Sequence, residues 1–152
     1  MAYIAGEARQ ELLDTLGAAT DDIAVALAAL ADAYEQLGTA PADRLEEELF
    51  APVQAAYGRA KGTYVGFARR HSLPERAFTP APPGLPSTGV RGFVDAAVAS
   101  VDEADAALAE LQDSMMPVEV GDPELRAGLA EVRELLGDVR ARAREFIRTL
   151  GR

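Results

Sequence analysis

The stretch SLPERAFTPAPPGLPS, residues 72–87, decides how this chain can fold. It holds five of the nine prolines: Pro74, Pro80, Pro82, Pro83 and Pro86. Proline fixes φ and removes a backbone donor, so neither a helix nor an inner strand passes through such a run. Pro80–Pro83 and Pro83–Pro86 each fit a P-x-x-P pattern, which reads as a stiff, extended connector. Two long helical repeats lie on each side of it, and the connector determines how the two pairs dock.

Before the connector, Leu13, Leu16, Thr20, Ile23, Leu27, Leu30, Tyr34 and Leu37 follow one another in steps of three or four. That spacing predicts one helix over about Tyr3–Leu37. Gly38-Thr39-Ala40-Pro41 stops it and starts a second helix, which runs to about His71. Leu45, Leu49, Val53, Ala56, Ala60 and Phe67 form the inner face of this second helix, and Pro52 is expected to kink it. After the connector, a third helix starts near Ser87-Thr88 and ends before Pro117. Val90, Val94, Ala97, Val101, Ala104, Leu108, Leu111 and Met115 form its stripe. Asp122-Pro123 is a cap followed by proline at the first helical position. It opens a fourth helix lined by Leu125, Leu129, Val132, Leu136, Val139, Ala143, Phe146 and Leu150.

Four such helices imply an all-α fold, a four-helix bundle, with residues 1–152 as one domain. Two connectivities are open. Sixteen extended residues reach at most about 50 Å, and the second helix is about 45 Å long at ~1.5 Å per residue. A ferritin-like crossover therefore fits only with a nearly straight connector. Charge favours the other arrangement. Residues 1–39 and 89–121 each carry −6, while residues 40–71 and 122–152 each carry +1. An up-down-up-down order places the two acidic helices on a diagonal, whereas the crossover makes them neighbours, so up-down-up-down is preferred.

Composition narrows the function. A net charge of −10 disfavours a nucleic-acid role, which needs clustered positive charge. There is no cysteine, hence no disulfide and no thiolate chemistry. The longest apolar run, Ile23–Ala31, is too short for a bilayer, which takes roughly 20 residues. The N-terminal residues lack the positive region of a signal peptide. The expectation is an acidic, soluble, cytoplasmic protein with no membrane partner.

The usual chemistry of helical bundles finds little support. A carboxylate-bridged metal pair wants Glu-x-x-His motifs. The single histidine is His71, and the residue three before it is Ala68. No metal or other cofactor is expected. Acidic pairs occur at Glu110/Asp113, Glu131/Glu134 and Asp102/Asp105, and a solvated face accounts for them. Tyr57, Lys61, Tyr64 and His71 lie along one flank of the second helix and form the best small-molecule candidate, with Lys61 the only lysine in the chain. Arg140, Arg142, Arg144, Arg148 and Arg152 read as arginines spread around a helix end, complementing its dipole.

The most specific signal is a second apolar strip on the second helix, facing away from the core. Ala51, Ala55, Gly58, Gly62 and Val65 recur at three- and four-residue steps, and Gly66 widens the strip. Each glycine costs about 1 kcal/mol relative to alanine inside a helix. Alanine is abundant in this chain, so close approach of another backbone is the reason expected for choosing glycine. The covering element is either the same helix of a second chain, giving a two-fold homodimer, or the connector, laying Leu73, Phe78 or Leu85 on the glycines. The sequence thus points to a non-enzymatic scaffold or adaptor acting by protein–protein self-association. The alternative is a bundle enzyme or ligand-binding protein using the Tyr57/Lys61/Tyr64 flank.

Overall fold

The computed structural model describes residues 2–85 and 88–150. The expected helix start at Ser87 and the terminal Arg152 lie outside them. The described secondary structure is all helical: α1 (Ala2–Glu35), α2 (Thr39–Leu45), a π-helical turn (Glu46–Phe50), α3 (Ala51–Arg70), α4 (Gly89–Asp113), α5 (Met116–Glu119), α6 (Pro123–Leu136) and α7 (Val139–Leu150). Residues 73–85 adopt neither helix nor strand.

The first segment is one continuous helix, as its unbroken stripe predicts. Leu13, Leu16, Thr20, Ile23 and Leu30 are buried, and the Thr20 hydroxyl donates to the Leu16 carbonyl (2.7 Å). Tyr34 is exposed. A repeat close to 3.5 drifts around a helix of 3.6 residues per turn, so the stripe leaves the core near its end. A second row, Leu12, Ala19, Ala26 and Ala33, lies beside the predicted stripe. It recurs every seven residues and is fully buried. This row gives α1 the second buried face that two neighbours require.

Pro52 does not end the second helix, and a π-helical turn stands just before it. The Ala51 N–H donates to the Glu46 carbonyl, five residues back, and Phe50 and Ala51 keep helical angles. The wide turn just before the proline eases the ring's clash with the preceding carbonyls, and the column continues. All six residues of the predicted inner face are fully buried. At the other end Ser72 takes a left-handed φ of 54°. The Leu73 N–H donates to the Ala68 carbonyl (2.8 Å) and the Ser72 N–H to Arg69 (3.3 Å), so the helix closes in a Schellman motif without glycine. The third predicted helix ends at Asp113, and a short α5 holds Pro117 before the fourth begins. Met115, expected in the stripe, is instead exposed, with φ 24°. Asp122 caps α6 as expected, accepting from the Leu125 N–H (2.8 Å). The fourth segment is broken at Gly137-Asp138, yet Leu125 through Phe146 of its stripe are buried on both sides of the break.

Contacts at the helix ends give the direction of each column. Arg9, near the start of α1, donates to the Val120 carbonyl just after α5 (2.9 Å), and the Gly84 N–H, just before α4, donates to Asp32 near the end of α1 (2.7 Å). α4 therefore runs antiparallel to α1, and so does α3. α6 starts beside the end of α3, where Asp122 meets Arg70 (2.8 Å), and α7 ends beside α2, where Arg44 donates to Thr149 (3.0 Å). α3 and α4 thus point the same way, and the connector runs back along the molecule between them. These contacts depart from the up-down-up-down expectation, in which α3 and α4 would be antiparallel.

The charge argument fails because core packing outweighs it. α1 and α4, the two acidic helices, share the most extensive contact in the molecule. Repulsion persists there. Burial, then Glu103 of α4, then Asp21 push the Asp22 carboxyl above its ordinary value. Screened surface charges contribute tenths of a kcal/mol, whereas burying one large apolar side chain is worth about 1.5–3 kcal/mol. α4 also gains opposite charge on its far side, from Arg133 to Asp105 (2.9 Å) and Arg140 to Asp102.

Candidate functional site

The outward strip of α3 is bare within the chain. Ala51, Ala55, Gly58 and Gly62 are exposed, and Val65 and Gly66 are half-buried. A Cβ placed on Gly58 or Gly62 would meet nothing within 4 Å, and on Gly66 only the end of the Arg70 side chain. The connector does not cover the glycines. This corrects the expectation that it lays Leu73, Phe78 or Leu85 there. Leu73 and Phe78 pack against the core, and Leu85 is exposed. The close approach expected of these glycines is made instead by Gly128 of α6, whose missing side chain leaves room for Thr63 of α3. Thr63 is buried, with its hydroxyl donating to the Arg59 carbonyl (2.7 Å).

The connector lies over α1 and α3. Arg76 binds Asp21 of α1 through two nitrogens (2.9 and 3.0 Å). Phe78 stands edge-on to Tyr64, with ring centroids 5.2 Å apart, and Arg76 stacks over the Phe78 ring at 4.2 Å. Gly84 then meets Asp32, and its lack of a side chain admits the Phe93 ring of α4.

Where the connector swings away, a groove of about 510 Å³ stays open between α1 and α3. Ala24, Leu27, Ala28 and Ala31 of α1 form one wall, Phe50, Tyr57 and Gly58 the other, and Pro80 and Pro83 edge it. The α1 wall was readable in the sequence as alanines at steps of three and four, a signal masked by the chain's overall alanine richness. Lys61 stands at this groove with its Nζ 4.3 Å from the Tyr57 ring centroid. No acidic side chain pairs with it among the described residues.

The candidate flank is therefore divided. Tyr57 and Lys61 share the groove. Tyr64 is buried beneath Phe78 and Arg76. His71 is at the far end of α3, its Nε2 3.0 Å from Asp122. Burial raises both phenols, Tyr57 and Tyr64, above the ordinary tyrosine value, so neither is a phenolate at neutral pH. Half of the acidic-pair residues bind arginines: Asp102 to Arg140, Asp105 to Arg133 and Glu131 to Arg59. Among the described residues no three His, Asp or Glu side chains converge as metal ligands, and no helix is long and apolar enough to cross a membrane.

No family model matches the chain, and no curated protein or solved structure does either.

Proposed function

We propose that this chain is a single-domain four-helix bundle of the crossover type that acts as a non-enzymatic scaffold, self-associating as a homodimer through the outward strip of α3. One observation carries the reading: Gly58 and Gly62 face open space although each lowers helix propensity. The strip bears no charge between Glu48 and Arg69, and its flanking Arg59 is turned aside to Glu131 (2.6 Å). A strip about four turns long suits a helix of a second copy crossing it. A cytoplasmic home without nucleic-acid partners belongs to the same proposal, and the net charge of −10 supports the second half of it.

Sedimentation velocity tests this. The wild type is expected as a dimer and Gly62→Glu as a monomer with unchanged helicity. A wild type that stays monomeric at high concentration rejects the reading.

A second reading rests on the α1–α3 groove. It is concave and mostly apolar, with two charged lining residues: Asp32, engaged by the Gly84 N–H, and Lys61, a cation without an ion-pair partner among the described residues, which suits the head of a small amphiphilic anion. A concentration-dependent thermal shift with medium-chain carboxylates, lost in Lys61→Gln, supports it. No shift with any carboxylate rejects it.

A further inference from the structure

On the side of the molecule opposite the α1–α3 groove, α4 and α7 enclose a groove of about 770 Å³. Its floor is apolar: Val94 and Ala143 are buried, and Val98 and Ile147 are half-buried. Its rim is cationic, in a chain whose net charge is −10. Arg140, Arg144 and Arg148 line it from α7 and Arg91 from α4, against one acidic lining residue, Asp95.

The sequence had suggested that the C-terminal arginines spread around their helix. Arg140, Arg144 and Arg148 instead stand four residues apart and share this groove, in a row rising about 6 Å per step. Two of the four cations are already committed, Arg140 to Asp102 and Arg148 to Glu145. Arg91 and Arg144 have no ion-pair partner among the described residues, and both are exposed.

The spacing defines the occupant. Cations converging on one point suit a single anionic head group. The row is about 12 Å long, but Arg140 and Arg148 in it are paired, so the free cations are Arg144 on α7 and Arg91 on α4. Cations on both helices suit carboxylates carried at a helical period beside a ridge that fills an apolar floor. An amphipathic helix with carboxylates every four residues has that period and that ridge. A long nucleic acid fits less well, because it would run on from the groove over the acidic faces of α4 and α1.

We infer that the α4–α7 groove docks a short acidic amphipathic helix of a partner protein, with Arg144 and Arg91 supplying the ion pairs and Val98 and Ile147 the apolar seat. The surface is separate from the α3 strip, so the inference stands or falls independently of the dimer.

Fluorescence anisotropy with synthetic peptides tests it. The probe is a labelled 16-residue helix with Glu at every fourth position and Leu along the adjoining face. Its control has the same composition with the glutamates scattered around the helix. Saturable binding to the patterned peptide, at least about tenfold tighter than to the control, is expected. Arg144→Glu should lose at least about tenfold, Arg91→Glu should also weaken binding, and added salt should weaken the wild type. Circular dichroism and sedimentation of both variants should match the wild type. Equal binding of the two peptides overturns the inference, as does unchanged affinity in Arg144→Glu. Tighter binding of a single-stranded oligonucleotide than of the patterned peptide replaces the helix with a nucleic acid. Loss of the wild-type oligomer in Arg144→Glu makes the groove a contact between copies of this chain. Either result overturns the inference.

Discussion

Two glycines with opposite surroundings show what a missing side chain can mean. At Gly128 a Cβ would run into Thr63, whose own Cβ is only 3.0 Å away, so rotating the threonine gives no relief. Gly128→Ala gains about 1 kcal/mol of helix propensity and incurs about 2–3 kcal/mol of overpacking. Chemical denaturation should show a net loss. At Gly62 the space is empty. Gly62→Ala should stabilise the dilute monomer by about 1 kcal/mol, while weakening any dimer that needs the bare backbone. For contacts within the chain, the sequence does not single out the glycine that matters. It shows Gly58, Gly62 and Gly66 as a pattern and Gly128 as a lone glycine, because the close contact belongs to two helices 65 residues apart. Ser72 is a third case. It holds φ 54° where glycine is preferred, so Ser72→Gly should raise stability by about 0.5–1 kcal/mol in thermal melts.

At the level of the element, caps and stripes were legible and bends were not. Asp122-Pro123 announced α6, and the structure adds a cluster around it. Burial alone would raise the Asp122 carboxyl, but hydrogen bonds from Arg70, the Leu125 N–H and His71 outweigh it and hold the group well below the usual carboxylate range. A carboxyl with a depressed folded pKa stabilises the fold above its unfolded value of about 3.9, and that stability fades as pH falls further. Asp122→Asn keeps a capping oxygen and removes the charge. The wild type should therefore exceed it by roughly 1–2 kcal/mol at pH 7, and the gap should begin to narrow below about pH 4 and go on narrowing as pH falls. Urea melts across that range check it. Pro52 was the converse case. Its position was plain, but the π-helical turn just before it was not; Leu49 inside that turn and Val53 beyond it are both fully buried.

Across the whole molecule, the all-helical class and most of the buried stripes were readable, whereas the division into seven described helices and their arrangement were not. Net charge per segment argued for keeping the acidic helices apart, yet the buried row Leu12, Ala19, Ala26 and Ala33 gives α1 a second packing face. Short-range packing beats screened charge. The candidate flank split for a related reason: Tyr64 belongs to the connector's seat, and no local pattern reveals where a connector lies. Phe78 on Tyr64 is the anchor of that seat, and Phe78→Ala should cost about 2 kcal/mol, with amide exchange quickening first over residues 73–85. The proposed crossover has one more outcome. Because the path returns along the rod only once, the backbone enters at one pole, where Arg9 meets Val120, and leaves at the other, where Thr149 meets Arg44. Anything joined to the two tails is held a rod's length apart, roughly 50 Å for a helix the size of α1. Copies linked end to end would form a string rather than a clump, and fluorophores of short Förster radius at the start of α1 and the end of α7 should transfer energy weakly.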